Sequence, residues 1–404
     1  MNTTIQLSPQ QVEAFQRVRA WLASPESPPV HRLFGYAGTG KSTIAADLAA
    51  EVAGPVYFAT FTGKAASVLR AKGCYNAQTI HSLIYLPKIK SAARLAEIRE
   101  KITHEADSDR LRELHAEADS ERENLKRPSF TLNLSSPLKG ASLLVLDEVS
   151  MVGTQIAQDL LLFGVPILAL GDPAQLPPVR DGGYFTDATP DTLLTEVHRQ
   201  ALDSPVLALA TMVREGQPLV HGTFGDSRVV QRGSLTVHEL AAHDQVICGR
   251  NATRHAVNAM IRKDVKGFAS HLPEPGDRLV CRRNDKETGL LNGTQWDVVA
   301  SEVIDDDRVG LTIIDAADGS SERYSFYIVA HRHPFEDRLK DLAPWEAREA
   351  QHFEYGYVVT CHTSQGSQWD SVAVIDESAA FRADARRHLY TAITRAAERV
   401  TVIR

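Results

Sequence analysis

The chain has 404 residues, of which 43% are hydrophobic and 24% are charged. This length suggests two or three domains, and the composition is ordinary for a globular protein with no apolar run near the ~20 residues of a membrane span. The net charge of −7 gives no overall signal for nucleic-acid binding, although a single groove can still be basic. The four scattered cysteines and the lack of a signal-peptide pattern lead us to expect a cytoplasmic protein without structural zinc or disulfides.

A glycine-rich segment near the N-terminus, GYAGTGKST, matches the P-loop pattern G-x-x-x-x-G-K-[ST]. An apolar strand precedes it and an amphipathic helix follows, which is the context that this loop needs. Its backbone N–H groups are expected to bind phosphate, Lys41 to contact the β- and γ-phosphates, and Ser42 to bind Mg²⁺. The candidate residues for nucleotide binding in the loop are Gly35, Ala37, Gly38, Thr39, Gly40, Lys41, Ser42 and Thr43.

The next elements continue an α/β pattern and then change character. Residues 55–62 predict a buried strand, and residues 63–73 predict the helix after it. Residues 88–128 hold ten Lys/Arg and ten Asp/Glu. Apolar residues at helical spacing within this segment predict two charged helices around the sequence EADSD. On charge pattern alone, the plainest interpretation is a solvated helical hairpin.

Further along the chain, polar residues follow hydrophobic strands. Asp147 and Glu148 end the strand LLVLDE, at the edge where α/β sheets place ligands. Asp147 is suited to hold Mg²⁺ and Glu148 to polarise the attacking water. Gln175, in GDPAQLPPV after the next strand, is expected to reach the γ-phosphate and that water. Arg199 and Arg395 are candidates for the positive charge that a phosphoryl-transfer transition state needs.

Residues 270–332 differ from the rest of the second half. Short strands separated by turn signals such as NGT and DGSS predict a small all-β insertion, which we interpret as a barrel. The α/β pattern returns in residues 355–404. The sequence therefore predicts an α/β fold of two lobes, each interrupted by an insertion.

The order of the motifs resembles the superfamily 1 helicases of the RecD/Dda type. The resemblance rests on LSPQQVEAF, GYAGTGKS, FTGKAASV, TIHSL, VLDEVSM, GDPAQLPPV, LTEVHRQ, YVVTCHTSQGSQWDSV and LYTAITRA. It implies two RecA-like P-loop lobes with ATP between them. Lobe one would span residues 1–190 with a wedge insertion at 88–130, and lobe two 191–404 with a small SH3-like β-barrel insertion at 265–345.

The same resemblance implies an activity. It implies an ATP-dependent DNA helicase that translocates 5′→3′ on single-stranded DNA and unwinds duplexes with a 5′ tail, as a monomer that uses Mg²⁺ with ATP. Other implied partners are single-stranded-DNA-binding or replication proteins, in replication, repair or recombination. Gln11 is assigned to the adenine edge. His198 and Gln368 are further candidate ATP contacts, where the family often has Tyr and Glu, and Thr363 stands where it often has Lys.

Contacts to the single-stranded DNA are predicted at the carboxyl edges of both sheets. Thr62 and the backbone of Gly63 are suited to phosphate, and Phe61 and His81 to stacking on bases, with core packing as the alternative for the two rings. The full candidate set is Phe61, Thr62, Gly63, Lys64, His81, His362, Thr363, Ser364 and Gln365.

Other functions remain open at this point. A P-loop kinase would explain the glycine loop but not GDPAQLPPV or the second lobe. A non-enzymatic DNA-binding or scaffold protein with a decayed ATPase would not need the intact Lys41 and Glu148. A translocase that strips bound proteins but unwinds poorly, and a helicase acting on RNA, cannot be separated from a DNA helicase by sequence.

Overall fold

The structure is a computed structural model and describes residues 7–87, 93–105, 107–126, 130–177, 183–196, 203–285, 288–316, 324–339, 342 and 349–404. In these ranges the β structure consists of two six-stranded sheets, one five-stranded sheet and one two-stranded ribbon. None of the helices in the described ranges combines the length and apolarity needed to cross a membrane.

The first half of the chain forms one α/β unit, here called lobe one, with its insertion. In chain order its elements are α1 (Pro9–Ala23), β1 (Val30–Gly35), α2 (Lys41–Glu51), β2 (Val56–Thr60), α3 (Gly63–Ala71), β3 (Gln78–Thr79), α4 (Ile80–Ile84), β4 (Tyr85–Pro87), α5 (Ala93–His104), α6 (Ser108–Lys126), β5 (Phe130–Leu132), β6 (Leu143–Asp147), α7 (Thr154–Leu161), β7 (Ile167–Gly171) and β8 (Thr192–Leu194).

The sheet of lobe one is parallel throughout, in the order β3-β2-β6-β7-β1-β8. Parallel strands are covered on both faces, which explains why β7 is buried along its whole length. The carboxyl ends of β1, β6 and β7 meet at one edge, where they present the P-loop, Asp147 and Gln175. β8 pairs with β1, so lobe one extends past the predicted boundary at residue 190.

The charged insertion contains the two predicted helices, α5 and α6. Leu95, Ile98 and Leu114 are at most 3% exposed, although the rest of the helical surface is highly charged. Arg94 Nη2 of α5 lies 3.2 Å from Glu117 Oε1 of α6. The strands β4 and β5, at the two ends of the insertion, pair antiparallel and connect it to lobe one. The two predicted helices are therefore confirmed.

The second half forms another α/β unit, here called lobe two, and the five-stranded sheet. In chain order its elements are α8 (Pro205–Arg214), β9 (Gly222–Phe224), β10 (Ser227–Val230), α9 (Val237–Ala241), β11 (Gln245–Cys248), α10 (Asn251–Met260), β12 (Arg278–Cys281), β13 (Gln295–Val303), β14 (Arg308–Asp315), β15 (Ser325–His331), β16 (Phe353–Tyr355), β17 (Val358–Thr360), α11 (Cys361–Ser364), β18 (Trp369–Ile375), α12 (Ala385–Ile393) and β19 (Ala396–Ile403).

Lobe two has the sheet order β17-β11-β18-β19-β10-β9, in which only β9 is antiparallel to its neighbour. The five-stranded sheet is antiparallel, in the order β15-β14-β13-β12-β16. Its four predicted strands are present. The fifth, Phe353–Tyr355, pairs with β12 and lies beyond the predicted insertion boundary at residue 345.

Candidate nucleotide-binding site

The P-loop joins β1 to α2 in a conformation that depends on glycine. Gly40 is the N-cap of α2 with φ +78, a left-handed conformation that costs other residues energy. A Cβ atom there would lie 2.6 Å from Nε2 of Gln11. Gln11 is buried, and its Nε2 donates to Thr39 O at 3.0 Å, so it supports the loop from below. Its predicted contact with the adenine edge stays a prediction.

Lys41 and Ser42 begin α2 and face the carboxyl end of β6. Lys41 Nζ donates to Gly35 O at 2.6 Å and to Tyr36 O at 2.9 Å, so the ammonium group lies inside the loop. Ser42 Oγ donates to Asp147 Oδ2 at 3.2 Å. Burial and the neighbouring Glu148 raise the pKa of Asp147 above its usual value. A cation bound between the hydroxyl and the carboxylate would favour the ionised carboxylate.

Glu148 follows β6 in an unusual backbone conformation, with φ 55 and ψ 44. Left-handed backbone is uncommon for a residue with a side chain and concentrates at functional sites. With its amide oriented to satisfy both neighbours, Gln175 donates to Glu148 Oε2 at 3.1 Å and accepts from Arg395 Nη2 at 3.3 Å. Arg395 Nη1 lies 4.0 Å from Glu148 Oε1. The three predicted residues from separate motifs therefore form one cluster.

Arg395 reaches this cluster from lobe two, where its guanidinium is held by lobe-two atoms. Its Nε donates to Thr391 O at 3.2 Å, its Nη1 to Ser367 O at 3.3 Å and its Nη2 to Thr394 Oγ1 at 3.3 Å. The residue is only 6% exposed. A buried guanidinium held this way is preorganised to place positive charge at a fixed point.

Sequence reasoning missed two members of the site, Asp172 and Tyr390. Tyr390 OH of lobe two donates to Asp172 Oδ2 of lobe one at 2.7 Å and accepts from the P-loop N–H of Ala37 at 3.1 Å. Burial raises the pKa of both side chains. Asp172 lies in the motif GDPAQLPPV and Tyr390 in LYTAITRA. The position of Asp172 at the end of β7 is the sequence signal that could have identified it as a site residue.

A cavity of about 250 Å³ lies between the lobes, and Asp172 is among the residues that line it. Lobe one contributes the P-loop, Asp147, Glu148 and Gln175, and lobe two contributes Arg395 and the turn that contains Gln368. Of the remaining predicted nucleotide and catalytic residues, His198 and Arg199 lie outside the described residues, and their roles stay predictions.

Two of the predicted DNA contacts of lobe one, Gly63 and Lys64, lie at its boundary with the five-stranded sheet and with lobe two. The Phe61 and His81 rings are partly exposed and meet edge to face at 5.7 Å, and burial lowers the pKa of His81. Lys64 Nζ lies 4.7 Å from the ring of Trp369, and burial lowers its pKa to about 8. A Cβ atom on Gly63 would lie 2.7 Å from Leu291 Cβ of the insertion.

Thr62, also predicted to contact phosphate, has a structural task at the same boundary. Its side chain accepts from Ala65 N at 3.2 Å and caps α3. Gly366 of lobe two packs so closely that a Cβ atom there would lie 2.9 Å from Thr62 Oγ1. The predicted contact of Thr62 with DNA stays a prediction.

The predicted contacts of lobe two follow β17. His362 and Thr363 are partly exposed, and burial lowers the pKa of His362. Ser364 is fully buried and donates to Cys361 O at 2.7 Å. Gln365 is 3% exposed and donates to Leu176 O of lobe one at 3.2 Å. In this structure only the first two side chains offer atoms at the surface.

Comparisons with known proteins agree with this arrangement. The family model described as AAA domain matches residues 6–235, and the UvrD-like helicase C-terminal domain matches residues 355–403. The ATP-dependent RecD2 DNA helicase of Deinococcus radiodurans is 28% identical over 288 residues, which are 64% of this chain and 35% of that protein. The chain thus spans about a third of the length of this curated relative.

Solved structures show the same fold. The Pif1 helicase from Candida albicans is 17% identical with a TM-score of 0.52, over 99% of this chain and 95% of the other. Bacteroides Pif1 bound to single-stranded DNA is 17% identical with a TM-score of 0.51, over 98% and 92% of the two chains.

Proposed function

The chain belongs to the AAA-domain family, whose model matches residues 6–235, and on this premise we propose that it is a superfamily 1 DNA helicase of the RecD type, which hydrolyses ATP and translocates 5′→3′ on single-stranded DNA. The observation that carries the proposal is the cluster in which Arg395 of lobe two meets Glu148 of lobe one through Gln175. A nucleotide site that is complete only when two lobes meet couples hydrolysis to lobe movement.

The residues of lobe one fit ATP with Mg²⁺. A hydroxyl and a carboxylate are the hard oxygen ligands that Mg²⁺ prefers, and Ser42 Oγ and Asp147 Oδ2 lie 3.2 Å apart. When bound, Mg²⁺ would neutralise charge on the phosphates. Lys41, now hydrogen-bonded to two loop carbonyls, would move its ammonium group onto the phosphate oxygens.

The hydrolytic step would use groups from both lobes. Glu148 accepts a proton from the attacking water, and Gln175 orients that water and the γ-phosphate. Arg395 places its charge on the γ-oxygens, with Arg199 assigned by family resemblance as a second arginine. Closure around ATP and opening after hydrolysis would alternate the grip of the two lobes on the strand, about one nucleotide per cycle.

Single-stranded DNA is the proposed track. The relatives include a protein named as a DNA helicase and a structure bound to single-stranded DNA. In this chain, the partly exposed Phe61 and His81 of lobe one and His362 and Thr363 of lobe two lie where strands of parallel sheets end. Aromatic rings at such positions bind bases by stacking without strong sequence preference.

We place the wedge that separates the two DNA strands in the insertion that contains α5 and α6. We assign the five-stranded sheet as the SH3-like insertion of lobe two. The root of the insertion supports this placement, because it touches a proposed base-stacking residue. The His81 ring lies 5.4 Å from both Tyr85 of β4 and Phe130 of β5. Phe130 is 44% exposed, so an apolar surface continues from the strand contacts onto the insertion.

The test is ATPase and unwinding on 5′-tailed, 3′-tailed and blunt duplexes of DNA and of RNA. We expect single-stranded DNA to stimulate ATPase and only the 5′-tailed DNA duplex to be unwound efficiently. Stimulation without unwinding would identify a translocase that strips bound proteins. Stimulation by RNA alone would make RNA the substrate, and ATPase that ignores every nucleic acid would overturn the proposal.

A further inference from the structure

The loop of residues 172–176, here called the hydrolysis loop, leaves β7 of lobe one but is held mainly by lobe two. Leu176 is 2% exposed, and its side chain belongs to the hydrophobic core of lobe two, among residues of α8, α12 and the second sheet. A side chain of one unit inserted into the close-packed core of another has little freedom to move independently of it.

Backbone contacts hold the same residue. Thr391 Oγ1 of α12 accepts from Leu176 N at 2.9 Å, and Gln365 Nε2 donates to Leu176 O at 3.2 Å. At the other end of the loop, Tyr390 OH donates to Asp172 at 2.7 Å. Both ends of the hydrolysis loop are therefore held by lobe two.

The environment of Gln365 differs from that of His362 and Thr363, the proposed DNA contacts that precede it. His362 and Thr363 are partly exposed, whereas Gln365 is 3% exposed and its amide points at the hydrolysis loop. All three residues follow β17 within one short turn of chain. The proposed DNA contacts of the partly exposed pair and the contact to Leu176 thus lie within residues 362–365.

We propose that Gln365 and Leu176 are positioning residues that transmit the placement of lobe two to Gln175, rather than contacts for strand or nucleotide. Gln175 precedes Leu176 directly and joins Glu148 to Arg395, so a small shift of Leu176 displaces the amide from the γ-phosphate position. This inference rests on the proposed function, since it assigns a route by which a bound strand would stimulate hydrolysis.

The experiment compares Gln365→Met and Leu176→Ala with the parent. For each protein, kcat and KM for ATP are measured at saturating oligo-dT, and the Kd for fluorescently labelled oligo-dT is measured at two salt concentrations. We expect kcat to fall about 10-fold or more, because misplaced catalytic groups are costly, with Kd and KM within about twofold of the parent. Leu176→Met should keep most of the kcat that Leu176→Ala loses.

Two control variants separate positioning from general loss of stability. Leu219→Ala truncates another leucine of the same core, and it should lower the melting temperature without this loss of kcat. Thr391→Val removes only the bond to Leu176 N and should lower kcat in the same direction as Leu176→Ala even if the latter folds poorly.

Several results would overturn the proposal. If Gln365→Met weakens oligo-dT binding and saturating strand restores kcat, Gln365 is a strand contact. If kcat is unchanged in Gln365→Met and Thr391→Val, the hydrolysis loop is positioned by lobe one. Failure of the proposed function looks different, because the parent itself would then show no stimulation by DNA, and kcat of the variants without DNA would still report on the loop.

Discussion

Glu148 occupies a left-handed backbone conformation between Asp147, whose carboxylate accepts its N–H at 2.9 Å, and the Gln175 amide. This geometry turns two adjacent carboxylates toward different neighbours. Asp147 faces Ser42 and the proposed metal position, whereas Glu148 faces the arginine of lobe two. Adjacent residues of the same chemical type therefore have separate tasks because the backbone turns between them.

Substitutions of Lys41 and Glu148 should differ in kind. Lys41→Ala removes positive charge from the phosphate site, so ATP affinity and turnover should both fall. Glu148→Gln keeps the shape and removes the base, so hydrolysis should fall on the order of 10²-fold or more while ATP binding is largely kept. Equilibrium binding of a fluorescent ATP analogue and single-turnover hydrolysis measure the two effects. Equal loss of ATP affinity in both variants would falsify the role of Glu148.

Arg395→Ala should lower kcat far more than it weakens ATP binding, because the charge acts mainly on the transition state. Losses of roughly 10³-fold are typical when such an arginine is removed. Arg199→Ala should behave similarly if family resemblance assigns it correctly. Arg395→Lys is the matched variant, because it keeps the positive charge and loses the guanidinium that contacts three groups of lobe two. Normal hydrolysis by Arg395→Ala at saturating DNA would make this residue structural.

His388 of α12 links a single residue to pH-dependent stability. It is 1% exposed and stacks on Phe381 at 4.0 Å, and neither ring nitrogen has a hydrogen-bond partner among the described residues. Burial, together with nearby His362, lowers its pKa from 6.5 to about 4. The unfolded chain therefore takes up the proton first, and the free energy of unfolding should fall as the pH drops from about 6.5 toward 4.

His388→Leu should remove this contribution, which amounts to about 1.4 kcal/mol of unfolding free energy for each unit by which folding lowers the pKa of the histidine. Urea unfolding at several pH values measures it, with a leucine substitution at the exposed His104 as the control. An unchanged slope in His388→Leu would assign the pH dependence to other groups.

At the scale of elements, what the sequence predicted well was local. The charged periodicity of 88–128 gave two helices, now Ala93–His104 and Ser108–Lys126, and the apolar runs before Asp147 gave a buried strand. Two strands of three residues were missed, whereas Val358–Thr360 lies within the predicted run YGYVVTC. Thr192–Leu194 and Phe353–Tyr355 exist because β1 and β12 offer them distant partners, and such pairing leaves no periodic signal in so short a segment.

The candidate site divides in the same way. Motif spacing identified Lys41, Glu148 and Arg395, because their chemistry is tied to local patterns. It did not identify Tyr390 or the burial of Leu176 in lobe two, because both depend on which surfaces of two lobes meet. A tyrosine and a leucine within a helical or loop segment are ordinary core residues until that contact is known.

The helical insertion should be separable from hydrolysis. Its only paired connection to lobe one is the β4–β5 ribbon among the described residues, and the nucleotide cluster lies elsewhere. Replacing residues 88–129 with a short Gly/Ser linker should leave DNA-stimulated ATPase at least partly intact and abolish unwinding of a 5′-tailed duplex. The balanced charge of the insertion argues against a dedicated phosphate clamp, because such clamps need an excess of Lys/Arg.

A helicase assay and an ATPase assay on the same preparation test this separation. Substitution of the exposed pair Arg94 and Glu117 by alanine is the control, because exposed ion pairs contribute little and both activities should be kept. If the linker variant folds and unwinds as well as the parent, the insertion is a solvated hairpin and the wedge lies elsewhere.

At the scale of the whole molecule, a buried ion pair holds the five-stranded sheet to lobe two. Arg262 lies just after the end of α10. Its Nε donates to Asp277 Oδ1 at 2.9 Å and its Nη2 donates to Asp277 Oδ2 at 2.9 Å. Its Nη1 donates to Ser270 O at 2.6 Å. Tyr357 OH donates to Asp277 Oδ1 at 2.9 Å. Asp277 is 0% exposed and Arg262 6%, so neither charge is hydrated from the surface. The sheet and lobe two are thus expected to move as one body.

Asp277→Asn should destabilise the protein strongly, because it removes the buried counterion of Arg262 and leaves only Glu274, whose carboxylate lies 3.9 Å away and is 36% exposed. Breaking one partner of a buried pair costs about 3–5 kcal/mol, whereas replacing both partners by apolar residues is often neutral. The double variant Arg262→Met with Asp277→Leu should therefore unfold in urea at a midpoint closer to the parent than Asp277→Asn does. If Asp277→Asn loses less than about 1 kcal/mol, comparable to an exposed pair, the contact does not hold the two bodies together. If the double variant is stable but DNA-stimulated ATPase falls, orientation of the sheet, and not stability, is what the ion pair supplies.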